Sequence, residues 1–490
     1  MRVKVPRCMS SQHPDNVRTP FFASHSVIGG EDEIREAYYV FSHLGCDEQM
    51  WDAEGKEVDD FVVVKLLSNY DYFFREKKLG EDVFLTLRVP NPAVEKAEGK
   101  VLIEALDSIP RSFDVSKIFY GEDLAPIFEV ILPMTQSPEQ LNRVYFYYRE
   151  FVVGKQHKSC FSGDVPLKEW IGEFKPEEIH VIPLVEDMAS MLKADQIVGG
   201  YLKDKGFEYQ RVFLARSDPA LNYGLVSAVL LNKIALYKLS LLEEELSVDI
   251  YPILGVGSPP FRGGMTPLSE SQVLEEYPSV QTFTLQSAFK YDYPEQQIVE
   301  SIKRIKEKKR GKPQGLDVEY YQKILESVSR EYEEEIVEIA PLVNRLAPYI
   351  PQRRKRKLHI GLFGYARGIG RTTLPRAIPF CAALYSLGIP PEVLGLSALS
   401  QKKREAVNEI YKFFEQHISS ALQYLNPENL KLLPPGLAQK IRERAKEFEY
   451  ETNQEHKKLT TQIVKLFKQN EISKMEEKII EAGALRGFLG

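Results

Sequence analysis

The sequence predicts a (β/α)8 barrel of the TIM type, heavily decorated with extra α-helices and helix-rich overall. Two observations carry that expectation. Eight short β-type runs follow one another, most of them separated by helix-like stretches long enough for right-handed crossovers. Charged and glycine-rich clusters stand directly after these runs, where parallel α/β folds put their chemistry. Eight βα units in series point to a barrel. A doubly wound open sheet is the alternative, because short apolar strands and buried helix segments share one pattern.

The first 30 residues are irregular. His13 precedes Pro14 and is held extended, since proline disfavours the α region in its predecessor. A weak strand candidate lies at 21–27. Helical spacing follows at 31–44, where Ile34, Ala37, Tyr38 and Phe41 share a face, and at 59–77. The remaining strands are expected at 83–89, 127–132, 179–185, 211–215, 249–256, 281–285 and 358–363, with helices at 140–152, 188–202, 223–242 and 295–309 between them. Between the seventh and eighth strands comes a charged helical insertion, 293–356. Its basic run, 302–313, reads as a solvated helix end. After the eighth strand the chain is helical from 375 to 490. With no repeat or Ser/Gly linker, one large catalytic domain over 1–490 is expected, its barrel strands at roughly 21–363.

Totals narrow the function. The chain has 490 residues, net charge −6, 43% hydrophobic and 27% charged residues. An acidic balance argues against a nucleic-acid partner. No apolar run reaches the ~18 residues of a membrane span, and the N-terminus has no apolar signal core. Cys8, Cys46, Cys160 and Cys381 show no C-x-x-C spacing and read as reduced thiols, so a cytoplasmic protein is expected. The histidines form no H-x-x-x-H pattern for zinc. The glycine-rich stretch 361–373 fails as a nucleotide loop, because Arg371 stands where the lysine belongs and Tyr365 where a glycine is needed.

The chemistry lies at the strand ends. Arg88 follows one strand, Glu186 another, Arg216-Ser217-Asp218 the next, Arg262 with Gly263 and Gly264 the next, and Arg367, Arg371 and Arg376 the last. By itself Ser217 or Asp218 reads as a helix cap. Glu186 one strand earlier and Arg262 one strand later make Asp218 a candidate metal ligand beside that cap reading. Two carboxylates from neighbouring strands suit Mg²⁺ or Mn²⁺, with water and substrate filling the other positions. Arginines at the same rim match phosphate and carboxylate oxygens. Ser217 is then the cap candidate, and Arg216 has no evident role.

Ordered blocks of the chain resemble the phosphoenolpyruvate carboxylase family in its short, archaeal type. Ser10-Ser-Gln-His13-Pro-Asp15 is similar to the family's T-A-H-P-T segment, and Pro183-Leu-Val-Glu186 to the P-L-F-E block that supplies one metal ligand. Ala215-Arg-Ser-Asp218-Pro-Ala-Leu-Asn-Tyr-Gly224 resembles the G-Y-S-D-S-x-K-D-x-G block that supplies the other. Phe261-Arg262-Gly263-Gly264 resembles part of the F-H-G-R-G-G loop, Phe289-Lys-Tyr291 its F-K-Y, and Leu374-Pro-Arg376-Ala-Ile-Pro-Phe380 the L-R-A-I-P-W block with one residue inserted. Arg486-Gly-Phe-Leu-Gly490 stands where longer members end in R-N-T-G. The loop here lacks the family's histidine and one arginine.

The resemblance implies Mg²⁺- or Mn²⁺-dependent carboxylation of phosphoenolpyruvate by bicarbonate to oxaloacetate and phosphate, in a homotetramer. It implies the metal on Glu186 and Asp218. It also implies His13, Arg88 and Arg262 in catalysis, and Arg376, Arg367, Gly263 and Gly264 around the substrate. Gly255, Gly257, Gly263 and Gly264 suit a mobile closing loop. A metal-dependent aldol-type lyase, which needs no bicarbonate, and a non-enzymatic scaffold are the rivals.

Overall fold

Strand pairing closes on itself. In the computed structural model, which describes residues 4–53, 59–96, 99–355, 372–490 and the backbone of 367–369, eight parallel strands form a closed barrel in sequence order. They are β1 (Cys8–Ser10), β2 (Glu48–Asp52), β3 (Phe84–Arg88), β4 (Glu129–Leu132), β5 (His180–Val185), β6 (Tyr209–Ala215), β7 (Asp249–Gly255) and β8 (Thr282–Leu285). β8 returns to β1 with Met9 opposite Thr284, so no edge is left open.

The barrel is thus the expected one, but its strands run from residue 8 to 285 rather than 21 to 363. Residues 21–27 form a turn and bends. Their aromatic character serves side-chain packing instead: Phe21 lies 5.2 Å from Tyr39, and Phe22 lies 5.7 Å from Tyr291, ring centre to ring centre. The expected strand 358–363 lies outside the described residues, and the barrel closes without it. The helical segment 293–356 therefore follows the eighth strand and is not inserted before it. It holds helices Glu295–Glu307 and Val318–Leu346. A small antiparallel pair, Arg367–Ile369 with Thr372–Leu374, then leads into helix Ala377–Ser386.

Inside the barrel, alternate residues point inward. The middle layer is apolar: Met9, Met50, Ile131, Ile182, Leu184, Phe213, Ala215 and Ile253 pack as one cluster. Below it lies an ionic floor. Arg211 donates to Glu48 at 2.8 and 2.7 Å and to Glu129 at 2.7 Å, all three buried.

Helix Leu225–Leu246 is long and apolar enough, by length and composition, to cross a membrane, contrary to the expectation that no run reaches that length. Of its apolar 18-residue window, 72% is buried within the fold. Ser227 donates to the Leu325 carbonyl of helix Val318–Leu346 at 3.2 Å, and the segment packs as a core helix. Gly224 (φ 87°) breaks it from the short helix Ser217–Tyr223. A Cβ at Gly224 would stand 3.0 Å from the Tyr332 ring.

Candidate active site

Continuing each inward row by two residues reaches the C-terminal rim. Ile182 and Leu184 lead to Glu186, Glu48 and Met50 to Asp52, Thr86 to Arg88, and Thr282 and Thr284 to Gln286. Glu186 stands one step beyond the Val185–Leu214 pair, next to the strand that delivers Ser217 and Asp218. The rim encloses a cavity of about 110 Å³ that His13, Arg88, Glu186, Asp218, Arg262 and Arg376 all line. At ~10–15 Å³ per water on this measure, the space takes several waters or a small anionic substrate.

Each side chain has a holder. Arg88 Nε and Nη2 donate to Asp52 Oδ1 and Oδ2 at 2.8 and 2.5 Å, a fork that fixes the guanidinium plane. The Asp52 amide donates to Gln12 Oε1 at 3.1 Å, so Arg88 is tied to the segment carrying His13. His13 Nδ1 lies 2.9 Å from Ser11 Oγ, and the His13 carbonyl accepts from the Ser287 amide at 3.1 Å. Glu186 Oε2 accepts from the Met134 amide at 2.8 Å. Met134 itself sits at φ 51°, a left-handed conformation rare outside glycine. Arg376 is the residue before helix Ala377–Ser386, whose first residues Ala377 and Ile378 also line the cavity. Main-chain N–H groups of that first turn add positive potential beside the arginine.

Arg262 is buried and already committed. Nε donates to Ser217 Oγ at 3.2 Å, Nη1 to the Gly490 carbonyl at 2.5 Å and to Asp15 at 3.5 Å, and Nη2 to Gln286. Asp15, fully buried, also accepts from the Ala288 amide at 2.7 Å and from Ser258 Oγ at 3.0 Å. Ser217 is therefore an acceptor for Arg262 and not a helix cap. Arg216 precedes the helix, and no side chain caps it. Arg216 does have a role, for its Nη1 donates to the Phe261 carbonyl at 3.0 Å, while the Phe261 amide donates to Glu392 at 2.8 Å. The peptide before Arg262 is gripped from both sides. Burial pushes the Glu392 carboxyl up to about 7, against the Tyr385 hydroxyl, the amide donors and Arg216, which lower it.

The glycine loop is not the expected mobile one. Residues 256–265 are almost wholly buried and cross-tied, Gly257 amide to Arg262 carbonyl at 2.7 Å and Met265 amide to Gly257 carbonyl at 2.9 Å. Gly263 (φ 122°) and Gly264 (φ 73°) do not line the cavity. A Cβ at Gly263 would meet Val256 Cγ1 at 2.6 Å. Close packing demands glycine at 263, and the left-handed backbone favours it at 264. The Arg367 side chain and Arg371 lie outside the described residues.

Sequence reasoning missed Asp15, Asp52 and Asn91, which hold the site from behind. The last of these donates from Nδ2 to the Pro133 carbonyl at 2.8 Å, bracing the turn that presents Met134. The tail Arg486–Gly490 also packs under the cavity. The Leu489 amide donates to the Asp15 carbonyl at 2.7 Å, and Arg486 Nη1 lies 2.8 Å from His456 Nε2. Burial, with Arg486 adding to it, drives His456 down to about 2, leaving a neutral acceptor.

A family model described as phosphoenolpyruvate carboxylase matches residues 5–490. The chain belongs to the phosphoenolpyruvate carboxylase family. A curated phosphoenolpyruvate carboxylase from Methanothermobacter thermautotrophicus is 53% identical over 489 residues, covering 100% of both chains. One from Methanospirillum hungatei is 52% identical over 488 residues, again covering 100% of both. One from Pyrococcus abyssi is 50% identical over 486 residues, 99% of this chain and 100% of that one. Among solved structures, an HpcH/HpaI aldolase from Desulfitobacterium hafniense has a TM-score of 0.35 at 14% identity, covering 61% of this chain and 93% of that chain, too slight a likeness to carry an argument.

The donor set fits a divalent ion. Among the described residues no group of three or more His, Cys, Asp or Glu converges. Glu186 and Asp218, which line one cavity with three arginines, are oxygen donors that would suit an ion such as Mg²⁺, which keeps waters and takes substrate oxygens as ligands.

Proposed function

We propose that the chain carboxylates phosphoenolpyruvate with bicarbonate to oxaloacetate and phosphate. The observation that carries this is the convergence of Glu186, Asp218, Arg88, Arg376 and His13 on one cavity, in a chain matched end to end by the family. Mg²⁺ or Mn²⁺ held by Glu186 and Asp218 would supply Lewis-acid stabilisation of developing negative charge. The homotetramer rests on the family resemblance, the metal on that resemblance and the two carboxylates, and the cytoplasmic location on the cysteine pattern and the N-terminal sequence.

The chain's own residues account for the rest. Arg88, its fork set by Asp52, and Arg376, at a helix N-terminus, bind the phosphoryl and carboxylate oxygens. A bicarbonate oxygen attacks phosphorus while the bond from phosphorus to the enol oxygen breaks, giving carboxyphosphate and the enolate. Positioning and charge neutralisation dominate such a transfer. Arg262, committed to Ser217, Gln286 and the Gly490 carbonyl, acts mainly as a fixed positive charge in the wall. His13, its ring set by Ser11, takes the proton that bicarbonate brought. Carboxyphosphate then breaks to CO₂ and phosphate, and the enolate carbon attacks CO₂. General-base assistance of this kind is worth roughly 10²–10⁴-fold.

The deciding assay couples oxaloacetate to malate dehydrogenase with phosphoenolpyruvate, bicarbonate and Mg²⁺. NADH oxidation that needs all three is expected. Turnover of phosphoenolpyruvate, or cleavage of a keto acid, without bicarbonate would favour the aldol-type lyase instead. His13→Asn is expected to keep bicarbonate-dependent phosphate release while losing most oxaloacetate. Oxaloacetate at the parental rate in that variant would remove His13 from the mechanism.

A further inference from the structure

A second cavity, of about 530 Å³, lies outside the barrel, between helix Gly99–Tyr120 and helix Pro138–Tyr147. That volume is in the range of small-molecule sites. In a chain of net charge −6, three exposed cations, Lys96, Lys100 and Arg143, line it. Its floor is apolar, built from Ile103, Leu132 and Val144. The acid on the same helix as Arg143 is Glu139, whose carboxyl is held below its usual range by Ser137 first and, more weakly, by Arg143. Residues Gly99 and Lys100 begin a 22-residue helix, so the positive end of its dipole faces the same space. Cations over an apolar floor select a ligand with one anionic head and an apolar body.

The cavity wall also reaches the active site. Asn91, in the wall, donates to the Pro133 and Met134 carbonyls at 2.8 and 3.3 Å. Gln140, also in the wall, accepts from the Gln136 amide at 2.9 Å. These contacts hold the turn whose Met134 amide donates to Glu186. We propose that this cavity binds an amphipathic organic anion, a carboxylate or a phosphate ester, and that occupancy is felt at Glu186. The second half rests on Glu186 as a metal ligand.

Calorimetric titration of the full chain with 4-phenylbutyrate and with phenyl phosphate, against 4-phenylbutanol as the uncharged control, tests the first half. At least one anion should bind once per chain, and the one that binds more tightly identifies the headgroup. The alcohol, the Lys100→Gln/Arg143→Gln variant and the cavity-filling Ala93→Trp variant should each weaken binding about tenfold or more. No heat from either anion, equal affinity for the alcohol, or unchanged affinity in both variants overturns the site. Loss of the free Mn²⁺ spin-resonance signal, with and without the bound anion, tests the second half. A shift in Mn²⁺ affinity of about threefold or more supports the link, and an unchanged affinity overturns it. If the protein takes up no Mn²⁺ at all, the metal reading of Glu186 falls and the link with it, while the anion titration still decides the cavity.

Discussion

Asp218→Asn is expected to lower kcat by roughly 10²–10³-fold or more, with little change in melting temperature. The two effects separate because the substitution changes charge and not size. Asp218 lies half-buried in the first turn of the short helix Ser217–Tyr223. A first-turn carboxylate contributes about 0.3–1 kcal/mol through the helix dipole, and asparagine keeps the shape. Asparagine removes the negative charge, however, and with it half of the proposed two-carboxylate ion site. Glu186→Gln should lose a comparable factor. The double variant should lose little more than either single one, because two ligands of one ion act as a unit. Ser217→Ala, one residue away, should keep far more activity than Asp218→Asn, since it removes only a 3.2 Å contact to Arg262. Losses that multiply in the double variant would mean that the two carboxylates work independently, and the shared site would be wrong.

The legible parts of the site were those where charge follows apolar strand. Glu186, Asp218 and Arg88 stand out because the residues before them, His180–Val185, Tyr209–Ala215 and 84–87, are strongly β-type. β1 and β2 were not legible for the same physical reason in reverse. β1 has three residues, too few for a period. β2 reads Glu-Gln-Met-Trp-Asp, and its polar residues are buried by partners far away in sequence: Glu48 by Arg211, Asp52 by Arg88. No polar–apolar alternation shows, because the inward row of Glu48, Met50 and Asp52 carries two carboxylates. Missing β2 also hid Asp52, the residue that aims Arg88. In the glycine loop the error ran the other way. Gly257 and Gly263 suggested motion, whereas a Cβ at either would collide with Arg262 or Val256, and sequence spacing carries no information about that approach. Arg216 had no readable role because its partners, Phe261 and the Phe261-bound Glu392, come from a neighbouring loop and a distant turn.

The buried ionic floor predicts the largest effect on stability. Arg211→Met should lower the melting temperature markedly, by the equivalent of about 3–5 kcal/mol for a broken buried ion network. Methionine fills much of the space, so the cost is electrostatic. Glu48 and Glu129 would be left side by side without Arg211, with the Thr86 and Tyr209 hydroxyls as donors to them. Burial already raises the Glu48 carboxyl in the parent, with Glu129 adding and Arg211 opposing. Without Arg211 that rise grows. A carboxyl whose folded value is raised stabilises the fold below its unfolded value and loses that contribution as pH climbs through the folded one. The deficit of Arg211→Met relative to the parent should therefore widen from pH 5.5 to pH 8. Adding Glu48→Gln and Glu129→Gln to Arg211→Met should restore most of the loss and flatten its pH dependence, because no charge is then stranded. A deficit equal at both pH values, or a triple variant no better than the single one, would mean that Arg211 matters for packing rather than for charge. Activity at a permissive temperature should survive in Arg211→Met. Phe213 and Ala215 separate the floor from the rim along the same strand, so the network sets whether the barrel stands, not what its rim does.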